Sequence, residues 1–370
     1  MKNQLDFKVP FINSLNTTFT HCFASAYMYL KKIGSRELNV CHKWEEDNVC
    51  DFCHNCANRE GQEYITLFET MCGRNALRCR YDGELTEMQK LIEGTEADGR
   101  SCGTDYTTDF LFGFTGYEYR KYTDKSAFKN EIIASIDMDR PVIAEFASGK
   151  KRFRVIIGYD RDTLITGNAY RENSLPYDDL KTLYIFREEI APRYTVKDGF
   201  KNIQNVMEYN FKEKIWNDYI KNLSGGSYEL GLYYGFEPVD DYSDASWLDC
   251  VEAKERKVRM NRLAEAAIYA WNSFFTNVGI GVAKRIYEEM RNPAIIELLG
   301  NDRNFDVPNY CIMDFGHMIN RLNAKPDLMD GKLWDSGVQG YGVMIAMAIE
   351  CTKIMENKVL ETIKKAVAVL

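Results

Sequence analysis

No run in this sequence is apolar for long enough to cross a bilayer: the longest near the C-terminus, from Tyr341 to Ile349, falls far short of the roughly 18–20 residues a span requires. A transmembrane helix is therefore not expected. The opening residues, MKNQLDFKVPFINSLN, carry charges and a proline. They lack the continuous apolar core of about 7–15 residues that marks a secretory signal, so a cytoplasmic location is expected. Basic excess is missing as well. With 47 Lys and Arg against 55 Asp and Glu, a net charge of −8 and dispersed basic residues, neither nucleic acid nor an anionic membrane is an expected partner. Histidines number only four, which leaves few side chains suited to general-base work near neutral pH. Internal repeats and low-complexity segments are absent too.

What the chain does contain is enough apolar sequence to fold. A 45% hydrophobic share over 370 residues exceeds what one core usually takes up, since single cores stop growing near about 250–300 residues, and two domains are expected. Eleven cysteines without an export signal point to reduced thiols, metal ligation or catalysis rather than to a disulfide framework. Seven of them lie between Cys41 and Cys102.

Residues 20–33, THCFASAYMYLKKI, have the small and apolar spacing of a helix buried on most sides, with Thr20 as N-cap and Gly34 as its stop. A polar, cysteine-rich stretch from Val40 to Arg59 follows, and then EYITLFETM, whose β-branched and aromatic residues predict a strand. Helices are predicted over Glu84–Glu93 and Lys125–Ile136, on either side of the aromatic run DFLFGFTGYEY, which reads as core. PVIAEF, FRVIIGYD, TLITGNAY and KTLYIFRE then predict an antiparallel meander. Residues 197–222 return to helical spacing as a solvated amphipathic helix whose lysines offer a surface for an acidic carrier protein. Beyond Ser246, helical spacing over 247–291, 311–322 and 337–368, interrupted by Pro293, Pro308 and Pro326, predicts an all-α bundle.

A cysteine in the first turn of a buried helix is chemically useful, because the helix N-terminus favours the thiolate. Cys22 stands there; its bland reading is a buried structural thiol. Asn16 lies six residues before it. Gly158 and Tyr159 close the segment RFRVIIGYD, Arg152 stands six residues before Gly158, and Asn168 ten residues beyond it. These intervals resemble those of papain-like cysteine enzymes, in which an amide before the nucleophile donates to the oxyanion, a His opens the strand that ends in Gly-Tyr, and an Asn or Asp orients that His. Arg152 occupies the His position, and a guanidinium does not deprotonate, so it is suited to holding a thiolate and not to taking a proton. Two other histidines are candidates for the missing base. One is His21, beside Cys22 but about 100 degrees round the helix, and the other is His317 in the helical region. Asn168 and Asp160 also follow strand ends, where both residue types are ordinary turn formers.

THCFASAYMYL together with PVIAEF, RVIIGYD and TLITGNAY resembles the N-terminal domain of the butirosin biosynthesis protein H-like family, itself similar to papain-like bacteriocin leader peptidases. The resemblance covers about half of the chain and includes the His21-Cys22 pair. It implies an α+β fold, with a central Cys-bearing helix packed on an antiparallel sheet, over residues 1–245 with a Cys-rich insertion at about 40–80. The helical domain follows over 246–370 and offers a surface for a homodimer. The implied activity is acyl transfer from an acyl or peptidyl carrier protein thioester to a small amine or peptide, through an acylated Cys22, in specialised metabolite biosynthesis. Asn16, Asn168, Arg152 and His21 are its supporting site residues, and no cofactor is required for catalysis. The alternative is a catalytically silent papain-like domain that binds a small molecule or peptide in the same cleft; a cysteine peptidase is a third reading.

Cys50, Cys53 and Cys56 form C-x-x-C-x-x-C, preceded by Cys41 and His42. Three thiolates so spaced, with Cys41, His42 or a distal Cys as fourth ligand, suit a structural zinc site, and the spacing also occurs in iron–sulfur proteins. Without a second C-x-x-C pair, an assortment of reduced thiols is the competing reading. An insertion of this length without a hydrophobic core favours a metal as its constraint.

Overall fold

The computed structural model describes residues 2–6, 18–33, 58–78, 80, 84–94, 103–147, 153–166, 173–217, 276–299, 353 and 356–370. Within these the protein is mixed α+β, built on a seven-stranded antiparallel sheet. The strands are β1 (Lys2–Gln4), β2 (Tyr117–Tyr122), β3 (Val142–Phe146), β4 (Phe153–Asp160), β5 (Thr163–Thr166), β6 (Asn173–Pro176) and β7 (Leu180–Glu189). Their order is β2-β7-β3-β4-β5-β6, with β1 also paired to β4. The predicted meander holds through β3, β4 and β5; β6, an unpredicted strand, extends it, and KTLYIFRE, expected as its fourth strand, is β7 instead. After β6 the chain returns, and β7 inserts between β2 and β3. Every residue of β3 is buried, which is why VIAEF is a nearly continuous apolar run and does not alternate.

Strand β4 is the spine of the sheet. Its first half pairs with β3 and its second half with β1 on the same edge, while β5 takes the other edge. Gly158 sits opposite Gln4, and a Cβ there would lie 2.7 Å from the Asn3 carbonyl oxygen. The glycine of the Gly-Tyr pair thus has a local reason: a neighbouring backbone passes too close for any side chain. Tyr159 is buried, and its hydroxyl donates to Asp137 Oδ1 at 2.9 Å, tying β4 to the end of a helix. The β4–β5 hairpin turns through Arg161 and Asp162, with Arg161 at φ 50°.

Six helices, α1 (Phe19–Leu30), α2 (Asn58–Met71), α3 (Glu87–Ile92), α4 (Asp105–Thr115), α5 (Lys125–Asp137) and α6 (Val196–Lys212), carry most of the remaining described chain before residue 218. One face of the sheet receives α1. Phe19 packs on Phe153 and Tyr184, with ring centroids 5.6 and 4.9 Å away, and Phe23 packs on Phe186 at 5.5 Å. Phe68 of α2 and Phe112 of α4 close around Phe23 at 5.3 and 5.0 Å. Arg187 follows Phe186 and therefore points to the reverse face. There it meets Glu131 of α5 at 2.7 Å, so α5 covers that side.

Among these elements one result differs from the sequence-based expectations, and the aromatic run expected as core is largely buried. Residues 63–71 are helical, the C-terminal part of α2, and not a strand. The aromatic run resolves into α4, Gly116 at φ 74° as its left-handed stop, and β2.

The chain divides into two compact units interleaved in sequence, the first including the sheet and residues 278–286 of a helix α7 described over 276–286. Within that unit Gly279 lies so close to α2 that a Cβ would come 2.9 Å from the Thr66 carbonyl oxygen. The described parts of the second unit are 75–78, 80, 84–89, 200–217 with most of α6, 276–277, 287–299 with the helix α8 (Pro293–Leu299), 353, and 356–370 with the C-terminal helix α9 over 356–369. Pro293 opens α8, where its missing N–H is harmless, and Asn292 Oδ1 accepts from the Ala294 N–H at 3.0 Å. The second unit's interior contains an ion pair between Arg78 and Glu356, which are 1% and 4% exposed. Arg78 also donates to the carbonyls of Asn75 and Leu77 at 3.0 and 2.6 Å, and the indole N–H of Trp216 donates to Glu356 Oε2 at 2.9 Å. The boundary expected at 246 lies outside the described residues, as do 247–275, 311–322, 337–352 and 354–355 of the predicted bundle. No described helix is long and apolar enough to cross a membrane.

Candidate functional site

The start of α1 organises the site. Thr18 is the N-cap, in extended conformation at φ −86° and ψ 167°, and its Oγ1 accepts from the His21 N–H at 3.3 Å. His21 answers with Nδ1, which accepts from the Thr18 N–H at 3.5 Å. This is a capping box with histidine in the place usually held by Glu or Gln. The cap is thus two residues earlier than expected. Thr20 is the second residue inside the helix, fully buried, and its hydroxyl has no hydrogen-bond partner among the described residues.

Cys22 therefore falls in the first turn, as its sequence setting predicts, with no acidic residue in that turn to cancel the positive end of the helix. Its sulfur is fully buried, and its own N–H donates to the Thr18 carbonyl at 3.2 Å, the first hydrogen bond of the helix. Arg154 of β4 feels the negative charge that a Cys22 thiolate would carry. Burial lowers the affinity of this guanidinium for its proton, and negative charge on Cys22 acts in the opposite direction. Coulomb attraction is mutual, so Arg154 is also a counter-charge for a Cys22 thiolate. Arg154 alternates with Phe153, the residue that meets α1, and its guanidinium carbon stands 5.7 Å from the Phe146 ring centroid, with a buried Nε that makes no hydrogen bond.

Beside the cap runs a chain of charges. His21 Nε2 is 4.0 Å from Glu69 Oε1, Glu69 forms an ion pair with Arg74, and Arg74 Nε reaches Glu93 Oε1 at 3.1 Å. The ring of His21 is thus turned to Thr18 on one side and to Glu69 on the other. A strand over EYITLFETM would put Glu69 on a solvated face. It is instead 8% exposed on a helix, on the face that also carries Ile65, Phe68 and Cys72. A spacing of three and four through these residues is the signal in the sequence that points to it.

Cys72, just past α2, shows what an inert thiol looks like here. It is fully buried and donates to the Glu69 carbonyl at 3.5 Å; burial pushes its pKa up to about 12, with the backbone of Arg74 acting the other way. A raised folded value means that its contribution to stability is complete below the unfolded thiol's range and disappears as pH rises through about 12. Folding stability is accordingly expected to decline from about pH 9 upward, with a shallower slope in Cys72→Ala. Urea melts at half-unit pH steps provide the check; parallel slopes for the two proteins would contradict it. Native protein at pH 8 is also expected to leave Cys72 unalkylated by iodoacetamide, as read by peptide mass mapping.

Of the other predicted site residues, Asn16, Arg152 and Asn168 lie outside the described residues, as do His317 and the candidate metal ligands Cys41, Cys50, Cys53 and Cys56. Among the described residues no three His, Cys, Asp or Glu side chains converge as a metal site. Compared with known proteins, the chain matches no family model and no curated protein.

Proposed function

We propose that the first unit is a papain-like domain in which Cys22 receives an acyl group from a carrier-protein thioester and passes it to an amine. The observation that carries this reading is a first-turn thiol at the positive end of the helix that packs against the sheet, with no acidic residue in its turn. In the first step the Cys22 thiolate attacks the thioester carbonyl, a new C–S bond forms, and the donor thiolate leaves. A neutral amine then attacks the Cys22 thioester, the C–N bond forms, the Cys22 thiolate departs and the amine proton passes to solvent. A thiolate favoured by the helix N-terminus needs no base to begin this cycle, which suits acyl transfer. Peptide hydrolysis is disfavoured, because a guanidinium does not protonate a leaving amine.

The test is intact-protein and peptide mass spectrometry after incubation with a panel of acyl-pantetheine thioesters. A single acyl adduct on Cys22 is expected, absent in Cys22→Ala and forming at least about tenfold more slowly in Arg154→Met, where the counter-charge is lost. Equal absence of adduct from wild type and Cys22→Ala across the panel ends the proposal.

A second reading, a catalytically silent binding domain, is favoured by one observation. The Cys22 N–H already donates to Thr18 and the sulfur is fully buried, so the nucleophile's own amide is engaged and not offered to an oxyanion. That reading expects ligand-induced thermal stabilisation that persists in Cys22→Ala.

A further inference from the structure

We infer that the first turn of α1 is a pH-sensitive element, in which protonation of His21 exchanges its cap on Thr18 for an ion pair with Glu69. This inference does not depend on the acyl-transfer reading. A Glu or Gln in a capping box presents an acceptor throughout the neutral range. Histidine presents one at Nδ1 only while the ring is neutral, and an imidazolium has donors at both nitrogens. In the structure Nδ1 accepts from the Thr18 N–H, so the neutral ring has its proton on Nε2, the nitrogen 4.0 Å from Glu69 Oε1. Protonation replaces acceptor by donor at Nδ1 and sets N–H against N–H at the cap. Thr18 is 3% exposed, so water is poorly placed to replace the lost acceptor.

The surroundings give the protonated ring a destination. From α2 and the turn after it come Glu69 and Arg74, and from the end of α3 comes Glu93. Glu69 and Glu93 both pair with the Arg74 guanidinium, so an imidazolium beside Glu69 brings a second cation to these two carboxylates. The strands packed against α1 add Glu145 on β3, already engaged by Lys181 at 3.1 Å and by the Thr182 hydroxyl at 2.8 Å, and β4 carries Arg154, which feels the charge of Cys22 and alternates away from the α1-facing Phe153. The nearest described carboxylate to the ring is therefore Glu69. Because Cys22 is the residue after His21, the turn that loosens is the turn that holds the thiol.

The experiment is hydrogen exchange with mass spectrometry on the full chain at pH 7.5 and 5.5, corrected for intrinsic exchange, read on peptides spanning Thr18 to Cys22. Protection in wild type is expected to fall about fivefold on acidification, the size of a lost cap. His21→Gln, which keeps an acceptor at every pH, is expected to hold the same protection at both. The His21 ring resonance gives a second readout that does not require the His21 variant to fold. Its titration midpoint is expected to move to lower pH in Glu69→Gln. Unchanged protection in wild type, an equal fall in His21→Gln, or a midpoint indifferent to Glu69→Gln overturns the inference.

Discussion

Replacing Glu356 by alanine is expected to destabilise the second unit by about 3–5 kcal/mol, the largest single effect that this structure supports. The carboxylate stands between the Arg78 guanidinium and the Trp216 indole N–H, with all three side chains buried. Removing it leaves a buried guanidinium without its carboxylate, while the Asn75 and Leu77 carbonyls still accept from it. The loss therefore measures an abandoned charge and not the worth of the pair, and a second variant separates the two. Arg78→Met combined with Glu356→Leu removes both charges and is expected to recover most of the stability. Urea unfolding of the two variants supplies the comparison, and a double variant no better than Glu356→Ala would show that the pair itself is a large net contributor.

Phe23→Ala is the second large expectation, at about 3–5 kcal/mol in the first unit. Phe23 is fully buried and meets five rings: Phe19, Tyr27, Phe68, Phe112 and Phe186. Three of these come from α2, α4 and β7, so the phenyl group is where those elements meet α1. Several of the contacts are edge to face or tilted, an arrangement aromatic quadrupoles prefer and a smaller side chain does not reproduce. Denaturant melts with near-ultraviolet circular dichroism are the measurement. A loss below about 1.5 kcal/mol would mean that the surrounding rings close over the gap, contrary to the rigid packing described.

The parts of the fold legible in the sequence are those where one physical pattern dominates. VIAEF, FRVIIGYD, TLIT and LKTLYIFREE are β-branched and apolar between turn residues, and all four are strands. Lys125–Asp137 and Val196–Lys212 follow amphipathic helical spacing and are helices. EYITLFETM misleads because Tyr, Ile, Thr and Phe favour strands individually, while the helix is set by packing of Phe68 on Phe23 and Tyr27 and by the polar NREGQ that precedes it. Helix α4 is hidden for the opposite reason. It is buried on most of its circumference, from Thr107 to Thr115, so no polar stripe reveals its period.

The site divides in the same way. Cys22 in a first turn follows from residues adjacent in sequence, and it is where the pattern places it. The Thr18–His21 cap is hard to see in the sequence because histidine is an unusual third residue for a capping box. Glu69 and Arg74 are out of reach of any strand pattern over EYITLFETM, since a period of two and a period of three and a half place the same glutamate on different faces. Arg154 stands two residues from Arg152, which lies outside the described residues, and no interval in the sequence points to Arg154 as a cation that feels the Cys22 charge.

The order of strands has one more consequence, at the two margins of the sheet. Among the described strands β2 lies at one end, and Glu118, Arg120 and Lys121 are exposed along it; β6 lies at the other, four residues long and closed by Pro176. Charge discourages a foreign strand from docking on the first margin, and on the second a short ladder ends in a residue with no N–H to donate. Two unlike devices thus oppose chain-to-chain sheet extension, so that an aromatic-rich β fold can be crowded with its own copies and still resist polymerising edge to edge.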